Sequence, residues 1–435
     1  MADLNTTSKS FATFSVSIFV LGFASGPLIL APLSELYGRV IVYNITNVLF
    51  MTFTMLCGFS QNQGMFLGFR YLSGFAGVAT ITIGSGTIAD LMPREERGRA
   101  VSIWAVGTIL GPAIGPIIGG WVTEVAGWRW MFWGVSVAVS YLPIPLMHPN
   151  NKKELLTSPQ IGLVTLLAFL ILKETYPPVL LERKALHLRK STSNPHYQST
   201  LAASRAKTTF AQNILRPCKL LLLCPTVTIM CAYGAIPYAT LYLLFATYSF
   251  VFTQVYGFST FANGLVFLAG GIGTLFGLAY IGYFSDKIIK GRMAAGKPVT
   301  PEDRLSLIIT LPGSLTLPVG LFLYGWSAQR QMHWVVPQIG TAIMGFGSIV
   351  VCTAVQTYLI DAFEGYAASV IGANTVLRCT AGALIPLGGL GLYEALGWGW
   401  GNSLLAFVAL AFAPLPWVFG IYGGRIRGWG FMGRV

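Results

Sequence analysis

The side chains that could do chemistry in this chain are few, and the most telling are charged groups placed inside apolar runs. Arg70 stands a few residues within one such run, in the setting Arg70-x-x-Ser73-Gly74-x-x-Gly77. Burying a guanidinium in hydrocarbon costs at least about 2.5–3.5 kcal/mol, so it faces a cavity or a partner, or snorkels to the interface. Arg378, beside Asn374 in a late run, invites the same argument. A second pattern is Gly107-x-x-x-Gly111-Pro112-x-x-Gly115-Pro116-x-x-Gly119-Gly120. Its glycines at 107, 111, 115 and 119 step by four and share one helix face, which lets a neighbouring helix approach closely. Its prolines remove backbone donors and bend the helix. The pattern reads as plain helix packing or as a hinge-like interface between two halves of the chain. The third pattern is Ala31-Pro32-Leu33-Ser34-Glu35-Leu36-Tyr37-Gly38-Arg39. Gly38 permits a tight turn, and Glu35 sits at a helix end where it can meet a cation or a helix N-terminus.

Catalytic sets are missing. His148, His187, His196 and His333 are scattered, and no nucleophile–histidine–acid group can be placed on one face. Cys57, Cys218, Cys224, Cys231, Cys352 and Cys379 lie in or beside apolar runs without metal-site spacing, and read as reduced packing residues. Gly271-x-Gly273-x-x-x-Gly277 has the wrong spacing for a dinucleotide loop. The sequence thus calls for no cofactor, no metal and no enzyme activity. An intramembrane enzyme and a sensor of transporter-like fold are the alternatives from other function classes.

These residues are carried by membrane helices. Of 435 residues 54% are hydrophobic and 10% are charged, against about 25% charged in soluble domains. A span needs roughly 20 mainly apolar residues. Such runs occur near 11–34, 41–60, 66–90, 100–122, 220–248, 259–284, 305–326, 335–360, 366–393 and 400–422, and an eleventh, 129–172, is interrupted by a polar stretch. Lysine and arginine in the loops set orientation. With Arg39 cytoplasmic, so are Arg94, Arg97 and Arg99, the basic segment 173–219, Lys287 to Arg304, and Arg425, Arg427 and Arg434. The opposite loops hold Arg129 and Arg330. This asymmetry explains the net charge of +13 without nucleic acid as a partner. The expected organisation is a helical bundle over 1–172, a cytoplasmic central loop over 173–219, a second bundle over 220–424 and a cytoplasmic tail over 425–435. The halves echo one another: Ser34-Glu35 and Ser285-Asp286 follow corresponding spans, and Thr87…Asp90 and Thr357…Asp361 end corresponding spans.

The interruption in 129–172 looks like an insert. Trp130–Ala138 and Ile161–Leu172 are apolar pieces too short to cross, and VSYLPIPLMHPNNKKELLTSPQ between them is polar and proline-rich. Joining Ala138 to Ile161 restores one span of about 21 residues. Val139-Ser140 can be encoded with a 5′ splice site, Leu156-Thr157 with a branch point and Pro159-Gln160 with a 3′ acceptor, so 139–160 reads as an in-frame retained intron.

The three patterns, in this order, resemble those of the major facilitator superfamily. More narrowly, the chain resembles the fungal drug:proton antiporters of the twelve-helix type, a group of multidrug and polyamine exporters. The matching stretches are LGFASGPLILAPLSELYGRVIVY, RYLSGFAGVATITIGSGTIADLMPREERGRA, GTILGPAIGPIIGGWVTEVAGWRWMFW, KETYPPVLLERKA and TYLIDAFEGYAASVIGANTVLR. The resemblance implies an all-α membrane protein of two pseudo-repeated bundles, with about 11 transmembrane helices here, the first family helix missing and the sixth interrupted. It implies a gating loop at Glu35, Gly38 and Arg39, although Leu36 stands where the family has a basic residue. It gives Arg70 to proton coupling, and Gly107, Gly111, Pro112, Gly115, Pro116 and Gly119 to the antiporter motif. Polar and aromatic residues on spans, Tyr238, Tyr242, Phe245, Gln356 and Asn374, are the candidate substrate cavity. The implied activity is proton-coupled efflux of a small hydrophobic or amphipathic compound by a monomer in the plasma membrane. Its partners are the substrate, protons and the lipid bilayer. A polyamine exporter, a nutrient importer of the same fold and an inactive truncated transporter are the alternatives. Asn5-Thr6-Thr7 is an expected glycosylation acceptor, whereas Asn44-Ile45-Thr46 lies in a span.

Overall fold

The computed structural model describes residues 9–139, 174–192, 197, 199, 210–363 and 367–428. Their regular structure is helical, with no strand among them. Hydrocarbon offers backbone groups no partner, so a chain this apolar must satisfy its N–H and C=O groups within each span. The first half comprises α1 (Lys9–Tyr37), α2 (Arg39–Gly58), α3 (Gln63–Gly77), α4 (Ala79–Leu91), α5 (Arg94–Val125) and α6 (Trp128–Val139). The central segment holds α7 (Pro177–Thr192) and α8 (Phe210–Leu223). The second half comprises α9 (Pro225–Tyr256), α10 (Thr260–Ala294), a 3₁₀ turn (Pro301–Leu305), α11 (Leu307–Gln329), α12 (Val335–Ala362), α13 (Ala367–Phe412) and α14 (Leu415–Gly428).

The apolar runs read from the sequence correspond to these helices. α3 and α4 are one crossing with a step at Val78, and Gln63–Ile88 is long and apolar enough to span a membrane although it carries Arg70. Two expected runs, 366–393 and 400–422, merge into α13 and continue in α14. Gly397, at φ 73°, turns the chain between them, a conformation that glycine adopts without a Cβ penalty. α6 has 12 described residues, a rise of about 18 Å against a hydrocarbon core of about 30 Å. The proposed insert lies, apart from Val139, outside the described residues. So do Asn5 and the piece Ile161–Leu172. Residues 173–219, read as a loop, contain two helices, and α8 packs against α1 and α13.

Within the first half α3 packs on α1 and α2, and α2 packs on α6; within the second, α9 and α11 pack on α13, and α10 and α11 on α12. The halves meet along two seams, α5 against α10 and α1 against α13. At the first seam the close approach comes from glycines of α10: a Cβ on Gly264 would lie 2.7 Å from the Pro116 carbonyl oxygen, and one on Gly271 2.5 Å from the Ala113 Cβ. At the second, Val20 and Ala24 of α1 are buried against Cys379 and Ala383 of α13.

Candidate functional site

The end of the bundle that carries most of the lysine and arginine holds a layer of buried ion pairs. In the first half the Arg39 guanidinium donates from Nη1 to Ser34 Oγ at 2.7 Å and from Nε to Asp90 Oδ2 at 3.3 Å. In the second half Arg304 donates from Nη1 to Ser285 Oγ at 2.7 Å and from Nε to Asp361 Oδ2 at 2.8 Å. The two halves thus build the same clasp: a serine from the end of one span, an arginine, and an aspartate from the end of another. Charge-assisted bonds of this kind are about twice as strong as neutral ones. Here they are shielded from water, since Arg39 is 3% exposed and Arg304 is fully buried.

Further bonds tie the clasps across the halves. Arg97 of α5 donates from Nη1 to Asp361 Oδ1 at 2.5 Å. Asp286 of α10 accepts from the backbone N–H groups of Gly98 and Arg99, at 3.1 and 2.9 Å, near the positive end of α5. A side chain at Gly98 would displace that carboxylate, because its Cβ would fall 2.5 Å from Asp286 Oδ1. On the other seam, Arg216 of α8 lies 4.0 Å from Glu35 of α1. Glu174 caps α2 by accepting from Arg39 N at 3.0 Å and Val40 N at 3.4 Å. Gly38 fits there because its φ of 102° and the adjoining Glu174 carboxylate leave no room for a Cβ. Glu35, Gly38 and Arg39, expected from the sequence to form a gating loop, therefore share one layer, with Arg39 at its centre.

Arg70 of α3 is half-buried among rings rather than acids. Its guanidinium lies over Phe19 of α1 at 4.8 Å and over Phe132 of α6 at 5.4 Å, and its Nε has no hydrogen-bond partner. One turn further, Gly74 meets α1 backbone to backbone at Phe19, where no larger residue would fit. This fixes the height of Arg70 beside Phe19.

The glycine stripe of α5 faces elsewhere. A Cβ on Gly107, Gly111 or Gly115 would meet no described atom within 4 Å, and one on Gly119 would lie 3.1 Å from Met131 Sδ. α5 runs unbroken through Pro112 and Pro116. Its seam with α10 uses Ser102, Ala113, Pro116 and Ile117 instead.

The candidate cavity residues lie on α9, α12 and α13. Tyr238 and Tyr242 of α9 have ring centroids 4.8 Å apart and sit beside Arg378 and Cys379 of α13. Asn374 is buried near Gly234, one turn from Tyr238, and Gln356 is buried one turn beyond Cys352 on α12, while Phe245 meets Tyr242 edge-on at 5.9 Å and packs on Tyr248 and Phe267 farther along α9. At the opposite end of the seam from the ion pairs, a cleft between α1 and α13 is lined by Phe11, Thr13, Phe14, Leu387, Leu390, Gly391 and Glu394.

Comparison with known proteins gives this arrangement a family. A sequence model described as "Major Facilitator Superfamily" matches residues 1–386. The chain belongs to the major facilitator superfamily. This facilitator is 42% identical to the efflux pump radE of Floropilus chiversii over 98% of its own length and 76% of that protein's. It is 43% identical to the MFS-type transporter penM of Penicillium rubens, over 98% and 79%. Among solved structures, the proton:xylose symporter XylE shares the fold at a TM-score of 0.66 with 15% identity, over 94% of this chain and 86% of that one. The human organic anion transporter MFSD10 shares it at 0.64 with 17% identity, over 93% and 83%. This facilitator is thus a multi-pass membrane transporter.

Sequence reasoning left out Asp90, Arg97, Glu174, Asp286, Arg304 and Asp361 from the facilitator's candidate site. The signal available was the repeat: Ser34 with Asp90 and Ser285 with Asp361 sit at matching span ends. Arg97 and Arg304 were read only as loop charges that fix orientation.

Proposed function

We propose that this transporter exports small hydrophobic or amphipathic compounds across the plasma membrane in exchange for protons. The observation that carries the reading is the paired clasp. Arg39–Ser34–Asp90 and Arg304–Ser285–Asp361 rigidify each half, while Arg97–Asp361 and Asp286 on α5 lock the halves together at the cytoplasmic end. The locked end opposes an outer cleft, an arrangement suited to rocking of two pseudo-repeats about a mid-membrane site. Opening inward requires breaking the cross-half bonds and keeps the clasps within each half.

Export is the direction suggested by the relative named as an efflux pump. Apolar and aromatic walls around Tyr238, Tyr242 and Phe245 suit a hydrophobic cargo. A polycation is disfavoured, because the described spans carry Arg70 and Arg378 at depth and no carboxylate beside them. Arg70, desolvated between two rings, is the candidate coupling residue: a proton bound nearby would change its electrostatic surroundings. Expression in a transporter-deficient yeast tests the reading. Resistance to a panel of lipophilic toxins should rise, and an uncoupler should abolish the gain. Resistance that ignores the uncoupler would remove proton exchange, and no resistance to any compound would remove export.

A further inference from the structure

Two faces in the second half oppose each other with a period of four. On α9 they are Gly234, Tyr238 and Tyr242; on α13, Asn374, Arg378 and Gly382. The register is fixed by contact. The Arg378 guanidinium lies 5.0 Å from the Tyr238 ring centre. A Cβ on Gly382 would lie 3.0 Å from the same ring, and one on Gly234 would lie 3.6 Å from Asn374 Oδ1. α12 joins at the same level, where Cys352, one turn before Gln356, donates its thiol to the Gly234 carbonyl at 3.8 Å. From Ala367, where α13 begins, Arg378 is eleven residues along, a rise of about 16 Å, half of a hydrocarbon core of about 30 Å.

This mid-membrane site is built and unsatisfied. Arg378 is 8% exposed, Asn374 3% and Gln356 7%. Arg378 Nε, Gln356 Nε2 and Asn374 Oδ1 have no hydrogen-bond partner. Among the described residues no carboxylate forms an ion pair with Arg378; its neighbours are the Tyr238 ring and the Cys379 thiol. A buried cation without a counter-charge is unfavourable, and buried polar atoms without partners add to that. A ligand that brings an anion cancels both.

We propose that the cargo of this transporter is a flat, conjugated organic acid, bound as its monoanion with the acidic group on Arg378. The anion accepts from Arg378 Nε and Gln356 Nε2, and a hydroxyl on the cargo donates to Asn374 Oδ1. The ring system lies along Tyr238 and Tyr242, which are half-buried, with ring centres 4.8 Å apart and planes inclined at 37°. Val20 and Ala24 of α1 close the site from the first half, so occupancy reaches the seam that must move. The inference rests on the export reading for the direction of flux, but the site itself is independent of it.

Binding to the purified full chain in detergent tests it, with 6-hydroxy-2-naphthoate and its neutral amide as probes, by thermal shift and tryptophan fluorescence. The expected result is a preference for the acid of about tenfold or more, as a charge-assisted bond replaces a neutral one. Arg378→Gln should lose that preference while still binding the amide, which also shows that the variant is folded. Arg378→Lys should keep part of it. Equal affinity for acid and amide, no binding of the acid, or an unchanged preference in Arg378→Gln would overturn the inference. Uncoupler-sensitive efflux of neutral toxins without anion preference would leave the export reading standing and remove this one. Anion binding without such efflux would do the reverse.

Discussion

Asp361→Asn isolates the bond that holds the two halves together at the end proposed to face the cytoplasm. Asp361 accepts from Arg304 Nε at 2.8 Å within its own half and from Arg97 Nη1 at 2.5 Å in the other. The substitution keeps shape and one acceptor oxygen. Arg304 retains Ser285 at 2.7 Å and Asp286 at 3.2 Å, so the second-half clasp persists and the protein should insert normally. What changes between the two conformations is the Arg97 bond, since opening separates it. A hydrogen bond to a charged group contributes about 1.5–3 kcal/mol, so the ratio of cytoplasm-closed to cytoplasm-open molecules should fall by about 10–150-fold. Spin labels on cysteines replacing Glu96 of α5 and Lys290 of α10, in a cysteine-free background, report the opening by pulsed distance measurement. The wild type should give a dominant short distance, and Asp361→Asn a much larger long-distance population. Arg97→Gln should act alike, and the double variant should add little to either single one, because both remove the same bond. An unchanged distance distribution in Asp361→Asn, or full additivity of the two changes, would refute the assignment of this pair as the latch.

Further predictions concern the other positions. Arg70→Ala should abolish uncoupler-sensitive efflux while leaving membrane insertion intact; unchanged efflux would make Arg70 a snorkelling residue. Gly98→Val should push Asp286 off α5 and reduce transport at least as strongly as Asp286→Asn, measured by efflux at matched surface expression. Glu174→Gln should weaken the cap on α2 by about 1–2 kcal/mol, by analogy with other caps, read as a lower melting temperature with modest loss of flux. Transcript sequencing should show a main message lacking codons 139–160, and the chain without them should outperform the longer one in transport; a main message retaining those codons would end the intron proposal.

The spans were legible because a lipid solvent leaves only one secondary structure and one length to choose. The apolar runs therefore predict helices well, and the lysine and arginine asymmetry predicts which ends gather the charge. The step at Val78 and the turn at Gly397 were less legible, since apolar composition continues across both. The ion-pair layer was only half visible. Its acids sit at span ends in a repeated pattern, but their partners are remote: Arg97 and Asp361 are 264 residues apart, and Arg39 and Glu174 are 135 apart. No local signal links them. The glycine stripe shows the converse. Spacing by four says which glycines share a face of α5 but not which neighbour that face meets, and the seam with α10 falls on Ser102, Ala113 and Pro116. Arg378 was noticed as a buried charge, yet its opposition to Tyr238 depends on packing of α9 on α13 that the sequence does not encode locally.

The central claim is proton-driven outward transport, and flux in oriented proteoliposomes with an imposed pH gradient tests it most directly. With the cytoplasmic face toward the bath and the lumen acidified, a labelled substrate should accumulate in the lumen against its own gradient, and collapsing the pH gradient should release it. Equilibration without accumulation whatever the pH gradient would make the protein a uniporter, and uptake driven only when the bath is the acidic side would make it a proton symporter; either would contradict the account.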